Sequence, residues 1–345
     1  MTQGTVRCLL TAALITAALP LGAATKVADE AGFSGFFTLG VSRVDARTNM
    51  VATGFGGNAD LGDDEIDNLD DAAGSKTSTN VSPGLSLTYT FDNLRSEIFL
   101  GSSLEDFVRF DFSTVIGFRQ QVDEIGVFEL ATLNSPLATE VWADPYATGV
   151  ERDETDREAR GFRVSWGAIF DSGFDVRAAQ RESDIDDENS GDALVADGML
   201  TPAEQSLLDR NGDISSYDVF YNWDLGRGQL LSVGLTYLEH DLDGDAMSFD
   251  GYSLQFNNVT AFTPRFRLGT NILFGQYDHD TVNPVFGEKN DKDLFGLTLT
   301  VFYSDLLGFR GWTGVASAAY VEEDNRIDFY DARAQLYNLG VLYRF

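Results

Sequence analysis

Apolar side chains recur at every second position through most of this 345-residue chain, and no segment after the first two dozen residues is apolar for long enough to span a bilayer as a helix. A spanning helix needs about 20 apolar residues. A strand turns successive side chains to opposite faces, so a period of two reads as a strand with one apolar face. The clearest example is the C-terminal stretch, where Tyr337, Leu339, Val341, Tyr343 and Phe345 share one face. Asn338, Gly340 and Arg344 fall on the other face, with Leu342 as an exception.

Further stripes run back along the chain at Trp312–Tyr320, Phe295–Tyr303, Phe266–Phe274, Leu231–Tyr237, Tyr217–Trp223, Phe162–Phe170, Phe110–Phe118, Leu85–Phe91 and Phe37–Val41. Shorter ones cover Ile98–Leu100, Gly126–Leu130, Phe174–Ala178 and Tyr252–Phe256. The count is about 14, with 12 or 16 open. Links between stripes alternate between short, as at Asp171-Ser172-Gly173 and Leu225–Gln229, and long, as at Ala46–Asn80, Asn134–Ala159 and Ser183–Asp213. Aromatics mark both ends. Phe91, Phe118, Phe170, Trp223 and Tyr303 lie beside short links, and Tyr217, Tyr237, Tyr252, Phe295 and Tyr320 beside long ones. Alternating stripes, alternating link lengths and two aromatic girdles together predict an all-β fold: a transmembrane antiparallel up-and-down β-barrel with short periplasmic turns and long external loops. The even strand number suits a single-chain bacterial barrel.

The first residues agree with export to an outer membrane. Arg7 supplies a positive start, Leu9 to Leu21 an apolar core and Gly22-Ala23-Ala24 small residues for cleavage. The expected organisation is a signal peptide at 1–24, a short periplasmic segment at 25–32 and a barrel at 33–345. Cys8 leaves with the signal, so disulfides, thiolate catalysis and cysteine-held metals are excluded. The apolar stripe ending on Phe345 has the form of a sorting signal for the barrel assembly machinery. Outer-membrane lipids and lipopolysaccharide are the remaining expected partners. The net charge of −31 excludes nucleic acid, which requires clustered Lys and Arg. Acidic loop runs such as Asp60, Asp63, Asp64, Glu65, Asp67, Asp70 and Asp71 serve either solvation or surface-bound divalent cations.

The faces opposite the lipid stripes carry Arg109, Asp111, Arg119, Glu129, Arg163, Asp175, Arg177, Asp218, Arg267 and Arg344. An arginine-bearing lumen can select anionic solutes, since guanidinium pairs well with carboxylate and phosphate. The same residues could instead brace the wall as Arg–acid pairs. Two fragments have the alternate spacing of a calcium loop, Asp209/Asn211/Asp213 and Asp241/Asp243/Asp245. Ile214 and Ala246 occupy the sixth places, where such a loop needs glycine, so no metal site and no cofactor are assigned beyond surface cations. A loop helix is expected from Thr201, with Pro202 at its first position and Glu204 completing a capping box, stopped by Asn211-Gly212. Catalysis finds little support. His240 and His279 are the two histidines and are expected at the external rim, while Glu239 and His240 face opposite sides of a strand.

The segments Trp142-Ala-Asp-Pro-Tyr146, Pro202 to Gly212, Met247-Ser-Phe-Asp-Gly-Tyr252, Asn283-Pro-Val-Phe-Gly287 and Phe329-Tyr-Asp331 resemble a proteobacterial family catalogued as domain of unknown function 2860. The resemblance spans nearly all of the chain after the signal and implies an outer-membrane barrel. It brings no catalytic or binding residues. The expected function is a passive, porin-like channel for small hydrophilic solutes, anionic ones among them. The alternative is a closed structural or interaction barrel with acidic, cation-binding loops.

Overall fold

The computed structural model describes residues 26–54, 59–92, 94–106, 111–135 and 138–345, with side chains described outside 103–112. The expected signal peptide and Arg109 lie outside the described residues. The strands in chain order are β1 (Gly32–Arg47), β2 (Val51–Gly54), β3 (Ala59–Asp60), β4 (Ser75–Thr90), β5 (Ser96–Asp106), β6 (Asp111–Val122), β7 (Gly126–Asn134), β8 (Thr139–Trp142) and β9 (Glu154–Gly167). They continue as β10 (Phe174–Ile185), β11 (Gly212–Gly226), β12 (Gln229–Leu242), β13 (Phe249–Ala261), β14 (Phe266–His279), β15 (Lys292–Ser304), β16 (Trp312–Asn325) and β17 (Ala332–Arg344).

All but β2, β3 and β8 are long and form the wall, which is the fourteen-stranded antiparallel barrel expected from the stripes. Each wall strand pairs with its neighbours in the chain, and β1 closes the ring on β17 with Phe37 opposite Tyr343 and Val44 opposite Leu336. Closure leaves no unpaired edge, the condition for a sheet to sit in lipid. The four short stripes are all wall strands, namely β5, β7, β10 and β13.

Burial alternates along the wall as the pattern predicts. On β1, Thr38, Gly40, Ser42 and Val44 are buried inside, while Phe37, Leu39 and Val41 are exposed outside. Tyr337, Leu339 and Phe345 are exposed outside on the last strand, with Val341 and Tyr343 on the same face. Phe345 is held by reciprocal backbone hydrogen bonds with Gly35. Leu342, the exception in the stripe, turns inward and packs with Phe36, Phe302 and Val315.

A ring of fourteen strands is too wide for wall side chains alone to fill. Loop residues supply the filling at the long-link end. The 48–74 segment turns inward, and Val51, Ala59 and Leu61 pack against Val44, Ala46, Ala319, Ala334 and Leu336 of the wall. β8 pairs with both β2 and β9, which ties the 48–74 and 135–153 segments together inside the ring.

Candidate functional site

The interior divides into a charged arc and a neutral arc. On the charged side, Arg119 stands opposite Glu97 of β5 and Glu129 of β7 in register. Its guanidinium binds both carboxylates at 2.7 Å, and Arg163 of β9 reaches the other oxygen of Glu129 at 2.9 Å. The ring of Phe99 lies 3.9 Å from the Arg119 guanidinium carbon. Two cations and two anions thus balance in one chain of ion pairs that spans β5, β6, β7 and β9. Ion pairs of this kind are what the bracing alternative for Arg119 and Arg163 would require. On the neutral arc, Ser42, Ser82 and Asn338 hydrogen-bond one another inside β1, β4 and β17.

The other expected lumen residues scatter along the axis. Arg177 stands opposite Asp218 and lies over the Phe220 ring, and Asp218 accepts a hydrogen bond from Thr236. Asp175 is buried and fastens the short β9–β10 turn, accepting from the Ala168 amide at 2.7 Å and from Asn222 at 2.8 Å. Arg267 and Arg344 have the inward parity but are exposed near the ends of their strands, at the short-turn rim. Asp111 is in β6, and its side chain is outside the described set.

Sequence reasoning missed a second group of charges. His240 and His279 lie near the long-link ends of β12 and β14, as expected, and both are buried and face inward. His240, Phe249 and His279 stand in register on β12, β13 and β14; His240 stacks on the Phe249 ring at 4.2 Å, and His279 lies tilted against it at 5.0 Å. Lys292 of β15 sits 3.9 Å from the same ring and pairs with Glu323 of β16 at 3.3 Å. Arg157 of β9 and Arg181 of β10 join them around one cavity of about 110 Å³. The parity that exposed Arg163 and Arg177 also finds these two: extending each stripe by two or three turns of the pleat reaches Arg157 and Arg181 on the inner face.

The roof of that cavity is a core made of loops. Tyr146, Leu194, Leu200, Leu208, Ile327, Phe329 and Tyr330 are buried together, with Met247, Val285 and Phe286 packed against them. The hydroxyls of Tyr146 and Tyr330 meet at 2.5 Å, and Asn283 donates to Tyr330 at 2.7 Å. Burial pushes the Tyr146 phenol up to about 12 and raises Tyr330 as well, so both stay neutral where they meet. Arg152 is buried in the same region and donates to the carbonyls of Asn49, Pro145 and Asp63. Arg210 binds Glu188 at 2.6 Å and the Trp142 carbonyl at 2.7 Å. Such cations are tolerated because every one is paired or hydrogen-bonded.

The loop helix forms as read from its caps. In α1 (Asp192–Ala196) and α2 (Pro202–Gln205) the second carries the full Thr201–Glu204 capping box, and it ends in a short 3₁₀ turn rather than running on to Asn211. α1 was not expected. Asp144 accepts from the Gly191 and Ala193 amides at its start, stitching two loops together. The two calcium-like fragments lie side by side, with the amides of Asp243 and Gly244 donating to the carbonyls of Asn211 and Asp209. Asp209 and Asn211 spend their side chains on the amides of Asn211 and Ile185. Asp213, Asp241 and Asp245 belong to no metal-holding group of three or more His, Cys, Asp or Glu among the described residues.

Tyr146, Leu208, Met247, Asn283, Phe286, Phe329 and Tyr330 come from all five segments whose residues resemble the family, and in the folded chain those segments meet in the roof. Among solved structures, the chain is similar to a Pseudomonas aeruginosa FadL homologue (11% identity over 90% of each chain, TM-score 0.43). It is similar to OmpT, an outer-membrane protein of Vibrio cholerae (10% identity, 93% of this chain and 100% of that one, TM-score 0.43). The CymD monoaromatic hydrocarbon channel is a third such structure (10% identity, 92% and 89% covered, TM-score 0.48). Likenesses at this level carry no inference about solute. No curated protein matches the sequence. Residues 32–344, the whole barrel with its loop roof, match the family described as "Protein of unknown function (DUF2860)", and the chain belongs to that family.

Proposed function

We propose that this is an outer-membrane barrel that passes small hydrophilic solutes, anions in preference, along a lumen narrowed by its own loops. The observation that carries the reading is the contrast between the two faces of the wall. Outside, Leu39, Val41, Leu130, Val164, Leu235, Leu299 and Leu339 are exposed around the ring. Apolar surface so extensive has lipid as its natural solvent, and the aromatic girdles mark the two interfaces. Inside, arginines and small polar residues line the wall. With Arg119 and Arg163 balanced by Glu97 and Glu129, the inward Arg157, Arg177, Arg181 and Lys292 still outnumber the inward Asp175, Asp218 and Glu323 among the described residues.

The acidic loops pull the other way, concentrating cations outside the mouth. Screening favours the lumen. At physiological salt the Debye length is about 8 Å, so charges on the outer loops act weakly on an ion deep in the barrel. In planar bilayers the protein is expected to conduct with a reversal potential displaced toward anions. Clear cation preference would overturn the selectivity. The loop roof supports a second reading, a closed structural or interaction barrel, and an absence of conductance from verified folded protein would decide for it.

Assembly belongs to the same proposal. Phe345, exposed on the outer face at the seam strand, is the residue best placed for the assembly machinery to read, and surface divalent cations would bridge the acidic loops to lipopolysaccharide. Changing Phe345 to Ser is expected to lower the heat-modifiable, folded fraction in outer membranes several-fold; an unchanged fraction would remove the signal from Phe345.

A further inference from the structure

We propose that the short-turn end of the lumen holds a binding station for an uncharged, polyhydroxylated solute of the size of a simple sugar or sugar alcohol. The inference rests on the reading of the barrel as a passage for small hydrophilic solutes and names one class that it takes. A cavity of about 330 Å³ opens beside the β9–β10 turn, with Asp175, Asn222, Leu230, Ser232, Asn257 and Val259 in its lining. That volume lies at the lower end of small-molecule sites, which run from about 300 Å³ upward. Inward residues of three successive strands meet there in register. Asn222 of β11 is opposite Ser232 of β12, and Ser232 is opposite Asn257 of β13. Directly opposed side chains on one face have Cβ atoms about 4.5–5.5 Å apart, so these groups act on one small region.

The hydrogen bonds left unmade on this ladder set the ligand class. Asn271 donates to the Asn257 side-chain oxygen at 2.7 Å, and Asn222 donates to Asp175 at 2.8 Å. The Asn257 amide nitrogen and the Ser232 hydroxyl, in contrast, have no partner in the chain, although these residues are only 6% and 3% exposed. Buried polar groups are normally satisfied, which assigns their partner to a molecule in the cavity. The amide nitrogen only donates, whereas the hydroxyl donates and accepts. An ammonium group offers Asn257 no acceptor. A carboxylate or phosphate would accept from both. However, Asp171, Asp175 and Asp224 line the cavity, with Lys26 the one cation among the described lining residues, so the local charge opposes an anion. A hydroxyl accepts and donates without charge, and two neighbouring hydroxyls satisfy both residues at once. Leu230 and Val259 offer the C–H surface of such a solute an apolar wall. The cations behind the anion preference, Arg157, Arg177, Arg181 and Lys292, lie outside this lining.

The test is saturation-transfer NMR on the refolded, heat-modifiable protein in lauryldimethylamine oxide, a detergent without sugar headgroups. D-glucose and xylitol are the probes. Both are expected to take up saturation from the protein in a saturable way, while acetate and methylammonium at the same concentration do not. Ser232→Ala with Asn257→Leu removes both unmade groups, and half-buried Asn271 turns to lumen water, so the barrel should still fold. That pair should weaken glucose binding at least about fivefold, since it removes both polar groups that hold the hydroxyls. Ser317→Ala, which alters a Thr300–Ser317 hydrogen bond outside the cavity, should leave binding unchanged. If the pair does not refold, Ser232→Ala alone should weaken binding at least about twofold. Three results overturn the station: acetate or methylammonium binding in place of the polyols, no saturation transfer to the polyols from the folded parent (the two groups then hold water), or binding untouched by the substitutions. Polyol binding to a folded protein that does not conduct in planar bilayers supports the station and removes the channel. Conductance without polyol binding retains the channel and removes the station.

Discussion

Replacing residues 48–74 with an Asn-Gly turn should raise single-channel conductance by at least about twofold, because that segment fills the ring. The graft is geometrically mild. Arg47 and Ser75 are already opposite each other in the β1–β4 ladder, so a two-residue hairpin turn joins them without disturbing the wall. What leaves is the inner layer, Val51, Ala59 and Leu61, that packs on Val44, Ala319 and Leu336. The effect should spread beyond the deleted residues. Buried Arg152 loses the Asn49 and Asp63 carbonyls, and β8 loses its partner β2. A buried cation deprived of its acceptors is costly, so the 135–153 loop should loosen too. Protease sensitivity near Arg152, rising together with conductance, would report both steps. A variant that folds and conducts no better than the parent would show that the narrowest point lies lower in the barrel, at the charged arc.

The wall was legible in the sequence because lipid imposes a strict rule. An apolar solvent outside demands an apolar residue at every second place, so strand number, parity and rim could be read from Phe37–Val41 or Tyr337–Phe345 without any contact. The roof obeys no such period. Tyr146 meets Tyr330 across 184 residues, and Arg210 finds its acceptors on Trp142 and Ala143. Nothing in the spacing of those residues announces the pairing. The segments that carry the family resemblance were visible as motifs, but only the fold shows that they belong to one core. The burial of His240 and His279 was hidden for a related reason. Both stand near the external ends of their strands, but the loops close over that end and bury them. The balance of Arg119 and Arg163 against Glu97 and Glu129 depends on register across four strands, which no spacing in the chain announces.

That balance makes Glu129 the residue whose loss should disturb the lumen most. Its two oxygens are shared between Arg119 and Arg163, and its side chain is 9% exposed. Glu129→Gln keeps the shape and removes the charge, leaving two cations facing each other near one wall. Breaking a buried pair by removing one partner costs about 3–5 kcal/mol in a dry interior, and the water of a lumen should reduce that to about 2–3 kcal/mol here. Unfolding by denaturant in lipid vesicles measures it. The same change should move the reversal potential toward anions, since one negative charge leaves the charged arc. Arg163→Ser should do the opposite, freeing part of Glu129 to face passing cations, while Glu97 and Glu129 still hold Arg119. Arg267→Ser, in contrast, acts on an exposed rim position and should shift selectivity little. The decisive measurement is the double variant. If Glu129 and Arg163 interact as the geometry says, Glu129→Gln with Arg163→Ser should recover much of the stability lost by Glu129→Gln alone and return the reversal potential toward the parent. Strictly additive effects on stability would mean that the two side chains do not share the lumen as an ion pair, and the bracing role assigned to the charged arc would fall; the reversal potential returns toward the parent in either case, because the two charge changes oppose each other.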